Sequence, residues 1–139
     1  MIMNEDLIIS YCLVRVDAPD FNLGKACAQT NHCGTQMTEE LKGKDDKALH
    51  KLYKQWQEDR TFGTCLTLAV NAAEMRVAVT VANMLGLHAG IVHDPTYPIR
   101  DGDNMIFAPV DTCAYIFGRK SDCSLIVGKF PLLHERYVK

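Results

Sequence analysis

Residues 64–93 read TCLTLAVNAAEMRVAVTVANMLGLHAGIVH and place two apolar segments on either side of an amphipathic one. The flanking segments, 64–70 and 87–93, are short and rich in Leu, Val, Ile and Thr, which is typical of buried strands. Between them, Asn71 and Glu74 have the spacing of a capping box, apolar residues follow at helical spacing, and Gly86 is suited to end the helix. The stretch predicts a strand–helix–strand unit, the building block of layered α/β domains.

The segments on both sides extend this pattern. Residues 7–16 predict a first strand, 23–41 and 49–56 predict two helices, 112–117 predict a fourth strand, and a short helix is expected from about Ser121. Residues 94–109 contain three prolines and the sequence DGDN, which is typical of a loop. The order β-α-α-β-α-β-β-α predicts a single α/β domain over residues 1–139, with three layers and a four-stranded mixed sheet.

Length, charge and hydropathy limit the classes of protein to which this chain can belong. The chain has 139 residues and a net charge of −2, and no apolar run approaches the ~18 residues of a transmembrane helix. Glu5 and Asp6 stand where a signal peptide would carry Lys or Arg, so a soluble, cytoplasmic protein is expected. With this charge, a nucleic-acid partner would have to bind a local basic patch.

The six cysteines include no C-x-x-C pair, and several lie within apolar segments. We expect free thiols that act as small buried apolar residues in a reducing compartment. A thiol nucleophile built from Cys27, His32 and Cys33 is the alternative. It is disfavoured because adjacent helical residues point about 100° apart and Cys27 falls on the predicted apolar face.

The first helix carries two faces. The predicted core face consists of Leu23, Ala26, Cys27, Thr30, Gly34, Met37 and Leu41. The other face carries Lys25, Gln29, His32 and Gln36, and it is either a solvated surface or a site. Lys25 lies at the positive end of the helix dipole, where a cation is unfavourable, and Gly24 before it permits close approach. This combination favours a carboxylate or an anionic ligand as the partner of Lys25.

Asp94 is the carboxylate that the sequence suggests for this role. It directly follows a predicted strand, at the end where α/β sheets place ligands. The alternative is an Asp that starts a turn before Pro95. A metal site formed by His88, His93 and Asp94 is disfavoured, because adjacent strand residues project to opposite faces.

Three segments, in order, resemble the archaeal and eukaryotic-type peptidyl-tRNA hydrolases. GKACAQTNHC at 24–33 is similar to the family's G-K-x-A-A-Q-x-x-H-A helix start. MLGL at 84–87, followed by IVHD at 91–94, is similar to its M-L-G-L…D segment. APVDT at 108–112, leading to YIFG at 115–118, is similar to its A-P-G-S-x-T strand entry.

The resemblance implies hydrolysis of the ester that joins a peptide to the terminal ribose of tRNA. It assigns catalytic roles to Lys25, Asp94 and Thr112: oxyanion or phosphate binding, activation of water, and positioning of water. It also implies substrate contacts for Gly24, Gln29, His32 and Thr96. No metal and no cofactor are required by this chemistry.

The chain departs from the family after Asp94, where it reads DPTYPI instead of DAGRTQ, and a longer segment precedes Thr112. Thr96 is the expected substitute for the family's threonine. The alternative function is a non-catalytic RNA- or protein-binding module on the same fold. A tRNA partner would bind a basic patch built from two groups of residues: Lys42, Lys44, Lys47, Lys51 and Lys54 in one, Arg119 and Lys120 in the other. The sequence leaves the oligomeric state open, a homodimer included.

Overall fold

Nine elements follow one another in the computed structural model, which describes residues 6–138. They are β1 (Ile8–Arg15), α1 (Leu23–Lys42), α2 (Lys47–Glu58), β2 (Thr64–Val70), α3 (Ala72–Met84), β3 (His88–Asp101), β4 (Asn104–Arg119), α4 (Lys120–Val127) and a 3₁₀ turn (Glu135–Tyr137). The predicted order of strands and helices is confirmed. Glu5, used above in the argument on targeting, lies outside the described residues.

The four strands form one mixed sheet in the order β2-β1-β4-β3. β1 is parallel to β2, whereas β4 is antiparallel to both β1 and β3. Side chains alternate across β1: Leu13 packs with α3 and α4 on one face, and Val14 packs with α1 and α2 on the other. Helices on both faces of the sheet give the three layers that the sequence predicts.

The start of α3 confirms the predicted capping box. The Asn71 side chain accepts a hydrogen bond from the Glu74 backbone N–H at 2.8 Å, and Glu74 Oε1 accepts one from the Asn71 N–H at 3.0 Å. Gly86 follows the helix with φ of 79°, in the left-handed region. Local sequence alone therefore sets both ends of this helix.

The segment predicted as a loop, 94–109, is instead a β-hairpin, and this prediction was wrong. β3 continues to Asp101 and β4 begins at Asn104, with these two residues paired across a two-residue turn. Gly102 supplies the positive φ, 61°, that such a turn needs. Prolines are tolerated here because β3 is an edge strand and its register shifts between Asp94 and Tyr97.

The buried face of α1 also differs from the prediction. The buried residues are Ala26, Gln29, Cys33, Met37 and Leu41, whereas Cys27 and Leu23 are exposed. Cys27 and Cys33 lie about 120° apart around the helix, so both cannot face the sheet. Cys33 occupies the buried position against the sheet, where its thiol donates to the Ala114 carbonyl at 3.3 Å.

The chain after α4 covers the outer edge of β2. The Ala69 N–H donates to the Pro131 carbonyl at 2.8 Å, and the Leu133 N–H donates to the Thr67 carbonyl at 2.9 Å. These bonds satisfy backbone groups that an open edge strand would expose. Within residues 6–138, no helix is both long and apolar enough to cross a membrane.

Candidate active site

Lys25 is held in the first turn of α1 by three groups. Its Nζ lies 3.2 Å from Asp20 Oδ2, donates to the Pro98 carbonyl, and stands 4.4 Å above the centre of the Tyr97 ring. Its side chain is only 14% exposed. The sequence correctly indicated a carboxylate partner for this lysine, but that partner is Asp20 and not Asp94.

Asp20 links the loop before α1 to the β3–β4 hairpin. Its Oδ2 accepts from Lys25 Nζ and also from the Arg100 backbone N–H at 3.1 Å. The Arg100 N–H, followed by the Lys25 ammonium, lowers the pKa of Asp20 below its ordinary value. Asp20 therefore stays ionised at neutral pH and fixes the ammonium against the hairpin.

The polar face of α1 lies along β3. At its start Lys25 donates to the Pro98 carbonyl, and three turns later Gln36 Nε2 donates to the Ile91 carbonyl at 2.9 Å. Because Asp94 falls between Ile91 and Pro98 on β3, these two contacts bracket it. We call this contact region the α1–β3 seam. Of the two interpretations of the polar face, a solvated surface is excluded for Lys25 and Gln36.

Asp94 is half-buried and ends the regular part of β3. Its Oδ1 accepts from the Thr96 N–H at 2.9 Å and lies 3.4 Å from the Thr96 hydroxyl. Within residues 6–138 its Oδ2 has no hydrogen bond. Burial, followed by the charge of Asp20, raises the pKa of Tyr97, the ring beneath the Lys25 ammonium. Asp94 Oδ1 therefore makes the contact of an aspartate that starts a turn, which is the alternative that the sequence left open.

Thr112 lies beneath this region and is 2% exposed. The register passes from Val92–Cys113 to His93–Asp111, so Thr112 is the extra residue of a β-bulge. Its hydroxyl donates to the Val92 carbonyl at 3.5 Å. This contact fixes the geometry of the bulge, which lies opposite Val92, two residues before Asp94.

Gln29 and His32 occupy different environments. Gln29 is 5% exposed, and its backbone carbonyl accepts from Cys113 Sγ at 3.4 Å, which holds α1 against β4. Its side-chain Oε1 is buried with no partner within the described residues. His32 is exposed, as is Gly24 in the first turn of α1. Thr96 is exposed beside Asp94.

The alternative sites do not assemble. His93 Nδ1 lies 2.8 Å from Asp111 Oδ1, whereas His88 is in the core between Met37 and Lys44. Cys27 is exposed and Cys33 is buried. Neither the histidine metal site nor the thiol nucleophile is formed.

The opposite end of the sheet carries a cleft of about 340 Å³, lined in part by Lys44, His88 and Arg119. His88 is 3% exposed; its Nε2 donates to the Met37 carbonyl and its Nδ1 accepts from Lys44 Nζ, both at 2.9 Å. Burial and then the Lys44 charge lower the pKa of His88. A neutral imidazole is therefore part of the folded state.

We expect the free energy of unfolding to fall as the pH drops below about 6.5. The unfolded chain then binds a proton on His88 that the folded chain resists, so stability is lost on acidification. Urea unfolding at pH 7.5 and 5.5 measures this loss. The matched variant His88→Gln keeps a donor for Met37 and should lose less stability over this interval; an equal loss in both proteins contradicts the assignment.

The fold and the seam define a class: a three-layer α/β domain in which the polar face of α1 is hydrogen-bonded to β3 through Lys25 and Gln36. The family model described as peptidyl-tRNA hydrolase PTH2 matches residues 5–133, and the chain belongs to this family. A comparison with curated proteins gave no match. Family membership confirms the resemblance drawn from the three sequence segments.

Sequence reasoning missed Asp20, Tyr97 and a cluster of three buried thiols. Asp20 stands in a turn with φ of 53°, and nothing local shows that it faces Arg100, 80 residues away. Tyr97 was placed in a loop, although it is 1% exposed. The three thiols belong to Cys12, Cys33 and Cys113, which lie on three different elements and form no spacing motif in the sequence. Recognition of the hairpin turn at Gly102 would have found Tyr97 as an inward-facing strand residue.

Proposed function

We propose that this protein hydrolyses the ester between a peptidyl group and the terminal ribose of tRNA, through the α1–β3 seam. The observation that carries the proposal is that Lys25 and Gln36 bind the Pro98 and Ile91 carbonyls, on either side of Asp94 along β3. Family membership supports the reaction type.

Asp94 is the group that activates water in this proposal. Its Oδ1 is fixed by Thr96, while Oδ2 is available to accept a proton from water. The water oxygen attacks the ester carbonyl carbon, and the carbonyl electrons move to the oxygen, which becomes an oxyanion. Collapse of this intermediate breaks the bond to the ribose oxygen, which takes up the proton held by Asp94 and leaves as free tRNA, so that Asp94 is ionised again.

Lys25 stabilises the oxyanion. An ammonium has three donors, and two of them bind Asp20 and Pro98, so one remains for the substrate. These two partners hold the ammonium in place before the substrate binds, and preorganised charge is what makes such stabilisation effective. Thr112 acts from below as a positioning residue for the bulge, and the exposed residues Gly24, His32 and Thr96 are assigned to the rim that meets the tRNA end. Gln29, which the sequence suggested for the same role, is too buried for it.

The tRNA body is assigned to lysines that the structure leaves exposed at the end of α1 and along α2. Lys42, Lys47, Lys51 and Lys54 are all exposed. Phosphate contacts of this kind make affinity fall steeply with salt. The proposal includes a cytoplasmic location. Peptidyl-tRNA is present where translation takes place, and six free thiols fit a reducing compartment.

The test is release of free tRNA from purified peptidyl-tRNA by the full chain, followed by gel mobility or by release of a labelled peptide. We expect multiple turnovers. Salt-dependent binding of the same tRNA without release would establish the non-catalytic RNA-binding alternative, which rests on the altered DPTYPI segment. Failure of both release and binding would overturn the proposal.

A further inference from the structure

Three cysteines from three elements meet in the core beneath α1. Cys12 lies on β1, Cys33 on α1 and Cys113 on β4, and all three are buried. Their sulfur atoms lie within 4.8 Å of one another. Since Cys12 pairs with Tyr115 and Val14 with Cys113, the two strand cysteines are diagonal neighbours on the sheet face that α1 covers.

The spacing of these sulfurs suits a three-coordinate metal ion. Metal–sulfur bonds of about 2.3 Å in a trigonal plane separate the sulfurs by about 4 Å, so small side-chain adjustments suffice. Thiolates select soft ions such as Cu(I), whereas Zn²⁺ needs a tetrahedral fourth ligand. Within residues 6–138, no His, Asp, Glu or fourth Cys joins the group.

We propose that Cys12, Cys33 and Cys113 bind one Cu(I) ion. Binding forms three copper–sulfur bonds and releases two thiol protons to solvent, so that two thiolates and one thiol hold the ion; no electron is transferred. The Thr112 hydroxyl lies 3.7 Å from Cys113 Sγ and is placed to donate to a thiolate there.

Gln29 supports the same placement. Its carbonyl already accepts from Cys113 Sγ, and its buried Oε1 has no partner within the described residues. An unpaired buried acceptor is costly in free energy, so the described residues leave this part of the core incompletely satisfied. Thr112 is shared with the proposed hydrolytic site, but none of the three cysteines belongs to the α1–β3 seam. Copper binding is measured without peptidyl-tRNA, so this proposal stands or falls independently of the proposed hydrolysis.

The test is anaerobic titration of the reduced full chain with Cu(I) against the chromogenic chelator bicinchoninate. We expect one ion per chain, a thiolate-to-copper absorption band, and release of two protons per ion in weak buffer. Loss of a residue that only hydrogen-bonds a metal ligand typically lowers metal affinity about 10–100-fold, so Cys33→Ala, which removes a ligand, should lower it by about 100-fold or more.

Two controls separate this site from other thiols. Cys123 is equally buried but packs on the opposite face of the sheet, so Cys123→Ala should bind copper as the wild type does. The double variant Cys27→Ser/Cys65→Ser removes the exposed thiols and should also bind normally. If Cys33→Ala does not fold, Cys12→Ser on β1 replaces it. Absence of binding in the wild type, loss of binding in either control, or retention in folded ligand variants would each overturn the proposal.

Discussion

Replacement of Asp94 by asparagine should lower the turnover of peptidyl-tRNA by about 10²–10⁴-fold, the usual contribution of a positioned general base. Asparagine keeps an oxygen that can accept from the Thr96 N–H, so the local turn should persist. It cannot accept the proton of the attacking water. The measurement is the rate of tRNA release at saturating substrate, together with the thermal midpoint of unfolding.

The matched control is Asp101→Asn, which removes the same charge from the same strand at the tip of the hairpin. Asp101 is exposed and lies beyond Pro98, outside the α1–β3 seam, so the turnover of this variant should equal that of the wild type. If Asp94→Asn turns over at the wild-type rate, Asp94 is not the base and the proposed chemistry is wrong.

Replacement of Lys25 by alanine should lower turnover by about 10²–10³-fold, because one electrostatic stabiliser of the transition state is lost. Affinity for tRNA should change much less. From sequence alone, this residue faces away from the predicted core and its loss should leave folding unchanged. The structure changes that expectation: the ammonium contacts Asp20, Pro98 and Tyr97, so the thermal midpoint should also fall.

Lys129→Ala is the control for charge. Lys129 lies after α4, beside the Phe130 ring on the opposite face of the sheet. Its removal changes the net charge equally, so turnover should stay at the wild-type value. Equal losses in the two variants would show that Lys25 acts only through the overall charge of the protein.

The fold was largely predictable because its central signals are local. The capping box at Asn71 and Glu74 and the strand-like segments around it depend only on neighbouring residues. The β3–β4 hairpin was not predictable in the same way, because its prolines are typical of loops. Proline has no N–H to donate, so it is compatible with a strand only where an edge position or a bulge makes that hydrogen bond unnecessary. Neither condition is visible in the sequence.

The site was predictable only in part. The unfavourable position of Lys25 on the helix dipole indicated a partner. Asp94 was expected at the end of a strand, but β3 continues through it to Asp101, and its catalytic role stays a prediction. The choice of Asp20 as that partner depends on how the hairpin folds back over α1, which brings Arg100 and Pro98 to the same place. Gln29 was assigned to the polar face, yet it is buried, because packing against Cys113 overrides its polarity.

The most direct measurement compares wild type, Asp94→Asn and Lys25→Ala in single-turnover cleavage of peptidyl-tRNA, with binding of the same tRNA measured in parallel. We expect rapid cleavage by the wild type, together with variants that still bind tRNA but cleave it at least about 100-fold more slowly. A wild type that cleaves, with both variants cleaving at the same rate, would contradict it and place the active site away from the α1–β3 seam.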